Sequence, residues 1–167
     1  MPLNLSKELT HVREQVSPNS LTNSCSGEGC TVDLDDIPTK RVVIDVENEF
    51  DARQDNRKRC DRMLFYGNKN TFVAVPIELK GRGKGEESQV LEQLKNGLEF
   101  AATLVQDLKK TVYVPIVLTK NGIKWTNPRR QNQELKLTFK GKTLRVLTGR
   151  CGRPKNLANL LSNAGYL

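Results

Sequence analysis

Histidine is nearly missing from this chain, with His11 alone among 167 residues. Ser-His and Cys-His nucleophile chemistry, which needs a base beside the nucleophile, therefore finds little support. No apolar run approaches the roughly 20 residues needed to cross a bilayer, so the sequence does not read as a membrane protein. The N-terminal stretch MPLNLSKELTHVREQVSPNS lacks the apolar core and small-residue cleavage site of a secretory signal. A cytoplasmic chain with reduced cysteines is the expectation. Acids are few after Asp107, and no internal repeat stands out beyond the tripeptide Glu-Leu-Lys, which occurs at 78–80 and again at 134–136.

What the chain has in excess is positive charge. Its 27 Lys and Arg against 19 Asp and Glu leave +8, and clustered cations gain affinity for polyanions by releasing condensed counterions. The excess lies downstream, from Arg82 and Lys84 through Arg129 and Arg130 to Arg153 and Lys155, while acids gather upstream in TVDLDDIP and IDVENEFD. Nucleic acid is the partner this points to, and a solvated basic surface is the plainer alternative. The length suits a single domain, 1–167, since two domains would leave each half with a marginal core.

Hydrophobic periodicity orders the elements. Leu5, Leu9, Val12 and Val16 recur at helical spacing over 5–16, ended by Ser17-Pro18. SPNSLTNSCSGEGCT has no period and reads as an irregular connection. RVVIDVENEF alternates as a half-buried strand, DARQDNRK is a turn or loop, and RCDRMLFYG and TFVAVPIELKG form two strands joined at GNKN. Val90, Leu91, Leu94, Leu98, Ala101, Ala102, Val105 and Leu108 trace one face of a long helix from Glu86 to about Lys110. TVYVPIVLT follows as one strand buried on both faces. Strands in IKWT and in ELKLTFKGKTLRVLT, the latter a hairpin turning at Gly141-Lys142, precede a short helix over 155–164. The order is α/β around a mixed sheet. It divides into an N-terminal helix and irregular segment (1–39), a core (40–120) and a basic C-terminal extension (121–167).

The two copies of Glu-Leu-Lys differ in context. On a strand Glu78 and Lys80 share a face while Ile77 and Leu79 take the other. Asp61 opens the neighbouring strand, so a hairpin brings Asp61 and Glu78 to one sheet edge. Two close carboxylates repel each other, and a divalent cation holding oxygen ligands is the common way to keep both ionised. Glu134 has no such partner upstream and no helix after it, and reads as an exposed strand start.

An Asp on one strand, Glu-x-Lys on the next, then GRGKGEES leading into a helix with Gln89 and Gln93, resembles the PD-(D/E)XK nuclease superfamily over roughly residues 40–120. Cys60 stands where a Pro often precedes the Asp. The resemblance implies a restriction-endonuclease-like mixed β-sheet flanked by helices (an αβββαβ core), here with C-terminal strands and a short helix. It implies that Asp61, Glu78 and the Leu79 carbonyl hold Mg²⁺ or Mn²⁺. Lys80 would orient or help deprotonate the attacking water, and Gln93, less surely Gln89, would steady the site. Arg82, Lys84, Arg129 and Arg130 are candidates for backbone phosphates. The function implied is metal-dependent endonuclease cleavage of DNA in preference to RNA, in defence, recombination or repair, as a homodimer or in a larger nuclease complex. Two alternatives stand beside it: a nucleic-acid-binding module without catalysis, and an interaction subunit whose sheet edge is ion-paired.

Cys25 and Cys30 are spaced tolerably for zinc, but a tetrahedral site would need the remote Cys60 and Cys151, so buried reduced thiols are the expectation. Cys60 should face the core, away from Asp61. Asp33, Asp35, Asp36, Asp45, Glu47 and Glu49 read as a solvated face. In the resembling family a Glu from the first helix sometimes joins the metal shell, and Glu8 is the nearest candidate.

Overall fold

Side chains that alternate between two buried faces build the centre of the protein. The computed structural model describes residues 1–81, 84–120, 124–125 and 134–167. A two-residue strand β1 (Leu21–Thr22) precedes three antiparallel neighbours, β2 (Arg41–Asp45), β3 (Arg62–Asn68) and β4 (Thr71–Lys80). Along them Val42, Ile44, Met63, Phe65, Phe72 and Ala74 enter one apolar cluster, and Val43, Leu64, Tyr66, Val73, Val75 and Ile77 enter another. A period of two does this when both faces of a sheet are covered.

Helices α1 (Leu5–Glu14), α2 (Val46–Ala52) and α3 (Glu87–Leu104) bury apolar side chains in the first cluster. A short strand β5 (Lys84–Gly85) lies between β4 and α3. After α3, β6 (Thr111–Tyr113) and β7 (Ile116–Thr119) run parallel to β4. The strand β8 (Lys124–Trp125) pairs with β5. A hairpin of β9 (Lys136–Phe139) and β10 (Lys142–Arg145) packs Leu137 and Phe139 into the first cluster. Strand β11 (Leu147–Arg150) adds to β7 in parallel, and α4 (Asn156–Asn163) places Leu157, Ala158 and Leu161 in the second cluster. The result is a mixed sheet in the order β1-β2-β3-β4-β7-β11, with β6 also on β4, flanked by helices on both faces. Among the described residues no helix is long and apolar enough to cross a membrane.

Several elements differ from the sequence reading. RVVIDVENEF is a strand only to Asp45. The Asp45 side chain accepts from the Asn48 amide at 3.1 Å and caps α2, and Glu47 and Glu49 in its first turn complement the helix dipole. These local signals outweigh the alternation of Val42, Ile44 and Val46. The long helix stops at Leu104, because Val105 is extended and Asp107 caps a separate 3₁₀ turn over Leu108–Lys110. TVYVPIVLT is two strands, divided at Pro115, which has no amide hydrogen to donate to the ladder.

The cysteine reading is corrected more sharply. Cys30 and Cys151 form a disulfide with their Cα atoms 5.2 Å apart, while Cys25 and Cys60 are free and buried. The pairing arises because the loop before β2 lies against the end of β11, where the Gly152 amide donates to the Thr31 carbonyl at 2.9 Å.

Candidate active site at the end of β4

Backbone pairing sets the site. Arg62 on β3 stands opposite Ile77 on β4, and the same register carried one residue on places Asp61 opposite Glu78. The Asp61 amide donates to the Ile77 carbonyl at 3.0 Å, and the Asp61 carbonyl accepts from the Val46 amide at 3.2 Å. Strand β4 and the start of α2 therefore fix this backbone from both sides. The carboxylate is fixed as well: Asp61 Oδ2 accepts from the Leu79 amide at 2.6 Å.

Glu78 points into the space beneath α3 and is 1% exposed. Its Oε1 lies 3.3 Å from Lys80 Nζ, while its Oε2 is buried with no hydrogen-bond partner among the described residues. Lys80 Nζ also donates to Gln93 Oε1 at 3.4 Å, and Gln93 Nε2 donates to the Arg59 carbonyl at 3.2 Å. Gln93 can span this gap because α3 lies very close to the sheet one turn later. A β-carbon on Gly97 would sit 2.7 Å from Cys60 Sγ and 3.0 Å from Pro76 Cβ.

Burial dominates the electrostatics. It pushes Glu78 up to about 9, the charge of Asp61 adds to the rise, and Lys80 opposes it. Asp61 is also raised by burial, against the Leu79 hydrogen bond, with the charge of Glu28 adding to the rise and that of Lys80 opposing it. Buried side by side, each acid disfavours the ionised form of the other. Unpaired oxygen on a buried acid is costly. A divalent cation relieves both conditions at once, and the atoms offered, two carboxylates and a strand carbonyl, suit Mg²⁺ or Mn²⁺. Among the described residues no three side chains of His, Cys, Asp or Glu converge closely enough to hold one metal ion.

Asp61, Glu78, Lys80 and Gln93 are thus brought together, and Leu79 turns its side chain into the opposite core while its amide holds Asp61. Gln89 is exposed on α3. Arg82, Arg129 and Arg130 lie outside the described residues, as does the side chain of Lys84. Glu8 is not at the site: it is buried near the end of α3, where Oε2 accepts from the Gln106 amide at 3.3 Å. Glu49 is not a solvated acid either. At 2% exposed, it accepts from Ser17, Ser20 and Arg53 and clamps α2 to the preceding turn. The second Glu-Leu-Lys is an exposed strand start, with Glu134 paired to Arg145 at 3.3 Å and Lys136 at 3.8 Å.

Two participants escaped the sequence reading. Arg62 donates to the carbonyls of Ser24, Ser26 and Asp61 and lies 3.4 Å from Asp45, tying the loop before β2 to the site. That loop carries Glu28. Its only sequence signal is the Glu-Gly pair of a tight turn. Comparison of the chain with protein-family models, with curated proteins and with solved structures finds no match.

Proposed function

We propose that this protein hydrolyses phosphodiester bonds of DNA with a divalent cation, as a nuclease of the PD-(D/E)XK type. The observation that carries the reading is the buried Oε2 of Glu78, without a partner among the described residues and beside a second carboxylate. Support also comes from the element order, in which α1, the antiparallel strands β2, β3 and β4, then α3 and the parallel strand β7 follow the αβββαβ order once the short strands β1, β5 and β6 and helix α2 are counted as insertions.

Asp61, Glu78 and the Leu79 carbonyl would hold Mg²⁺ or Mn²⁺, and when bound the ion acidifies water and faces charge developing on a phosphate. Lys80 places an ammonium on the same strand face as Glu78, where it orients the attacking water and meets the growing negative charge. Gln93 holds that ammonium in place. The net charge of +8 favours binding of the DNA backbone, with cleavage of both strands by a homodimer. A DNA substrate places the work in the cytoplasm, where the Cys30–Cys151 bond would be subject to thiol reductants.

Plasmid cleavage with Mg²⁺ and with Mn²⁺, compared between the parent and Glu78→Ala, tests the proposal. Loss of several kcal/mol of stabilisation lowers the rate more than ~100-fold. If the parent binds DNA and cuts nothing across a range of substrates and cations, it is a binding module instead. Failure to bind any nucleic acid makes it an interaction subunit.

A further inference from the structure

The hairpin of β9 and β10 stands apart from the main sheet as a two-stranded ribbon. Its turn, Lys140-Gly141, has φ of +48° and +73°, the geometry of a tight two-residue connection. Alternation divides the side chains between two faces. Leu137, Phe139 and Leu144 turn inward against the apolar cluster that contains Leu94 and Leu98 of α3. Phe139 meets the Tyr113 ring edge-on at 5.2 Å, and at the base the Val146 amide donates to the Leu135 carbonyl at 2.8 Å. The ribbon is therefore firmly rooted on one face and exposed on the other.

The exposed face carries one sign of charge. Lys136 stands opposite Arg145 and Thr138 opposite Thr143, and cross-strand partners share a face. Two cations and two hydroxyls thus form an exposed block, and Lys140 and Lys142 add two more cations at the tip. Glu134, the one acid between 134 and 145, lies at the base, 3.8 Å from Lys136 and 3.3 Å from Arg145. Charge on exposed strands also discourages edge-to-edge pairing, but that role would leave DNA affinity untouched.

A polyanion matches this surface, and B-form DNA fits it in shape as well. Its major groove, about 12 Å wide, admits a two-stranded ribbon, whereas the corresponding groove of duplex RNA is deep and narrow. Lysine and arginine neutralise phosphates, and threonine hydroxyls donate to phosphate oxygens. The ribbon and the candidate site also share a side of the sheet. Ile77 and Leu79 enter the second cluster, so Glu78 and Lys80 take the face that α3 and the ribbon cover.

We infer that the outer face of the β9–β10 ribbon is a docking surface for duplex DNA, gripping its backbone through Lys136, Lys140, Lys142 and Arg145. The inference rests on the DNA reading above and gives that reading a defined interface.

Fluorescence anisotropy of a labelled DNA duplex, in EDTA so that nothing is cut, measures docking apart from cleavage. The ribbon variant combines Lys136→Gln, Lys140→Asn and Lys142→Gln, with Asn at 140 because it tolerates a left-handed backbone. A charge-matched control combines Lys7→Gln, Lys40→Gln and Lys69→Asn, three exposed lysines outside the ribbon, of which Lys69 has φ of +55°. With unchanged circular dichroism, the ribbon variant is expected to bind about 10- to 100-fold more weakly than the parent near ~0.1 M salt, with a log–log salt slope shallower by about 2–3, and the control to stay within about 3-fold. A ribbon variant that binds as well as the parent, or no worse than the control, overturns the docking surface and leaves the Asp61–Glu78 site standing. Tighter binding of an RNA duplex of the same sequence overturns DNA as the occupant. A parent that binds no duplex overturns both readings, whereas one that docks through the ribbon and cuts no substrate keeps this inference and loses the nuclease.

Discussion

Asp61 holds the strand that carries Glu78: its Oδ2 accepts from the Leu79 amide at 2.6 Å, between Glu78 and Lys80 in sequence. The carboxylate therefore has a structural duty beside the cation-holding one proposed for it, and two substitutions separate them. Asp61→Asn keeps an acceptor oxygen and is expected to cost about 1 kcal/mol or less, whereas Asp61→Ala orphans a buried amide and costs about 1–3 kcal/mol. Urea denaturation measures both. Cation binding should be weakened in each, because neither variant carries the charge.

Glu78 gives folding a pH dependence of definite sign. Its carboxyl is held at about 9, above its ordinary 4.5, so between those values the native state keeps a proton that the unfolded chain releases. The stability this provides is complete at low pH and is lost as pH rises towards 9, by up to about 1.4 kcal/mol per unit. Without divalent cations, the midpoint temperature of the parent should fall from pH 5 to pH 8. Glu78→Gln should flatten that fall and be the more stable protein at the upper end. A parallel decline in both proteins would assign the dependence to another group.

Gly97 lets α3 approach β4 closely enough for Gln93 to reach Lys80. Alanine in a helix normally gains about 1 kcal/mol over glycine. Here the added carbon meets Cys60 Sγ at 2.7 Å and Pro76 Cβ at 3.0 Å, and overpacking costs about 1–3 kcal/mol. Gly97→Ala should therefore destabilise. Adding Cys60→Ala removes the nearer obstacle, and a double-mutant cycle should return a favourable coupling of about 1 kcal/mol.

Much of this was legible in the chain and some was not, for identifiable reasons. The pairing of Asp61 with Glu78 could be read because a short hairpin ties register to sequence, and Gln93 because its helix follows directly. The helix α2 hid behind three alternating apolar residues, and only Asp45 as a cap announced it. Glu28 and the Cys30–Cys151 bond depend on where a long loop comes to rest. No local pattern encodes a contact across 121 residues. Asn-, Ser- and Gly-rich sequence signalled an irregular path at 17–31 without disclosing its destination.

The thiols offer a direct chemical count. Burial pushes Cys25 up to about 12, and raises Cys60 well above its ordinary range, so neither is a thiolate near neutral pH. Iodoacetamide should leave the native protein unmodified. In denaturant without reductant, mass spectrometry should find two alkylated cysteines, and four after reduction. Four without reductant would mean the disulfide is absent.

The bond between Cys30 and Cys151 also makes the core a covalent ring. Asp61, Glu78, Lys80 and Gln93 all lie within it, and Glu28 lies two residues outside. A protease that cuts once anywhere between those cysteines leaves two fragments that still travel as one body on a gel until a thiol is added. The ring thus allows a nicked chain to keep the two halves of its site, Asp61 on one piece and Lys80 on the other, at the high effective concentration of a tethered pair.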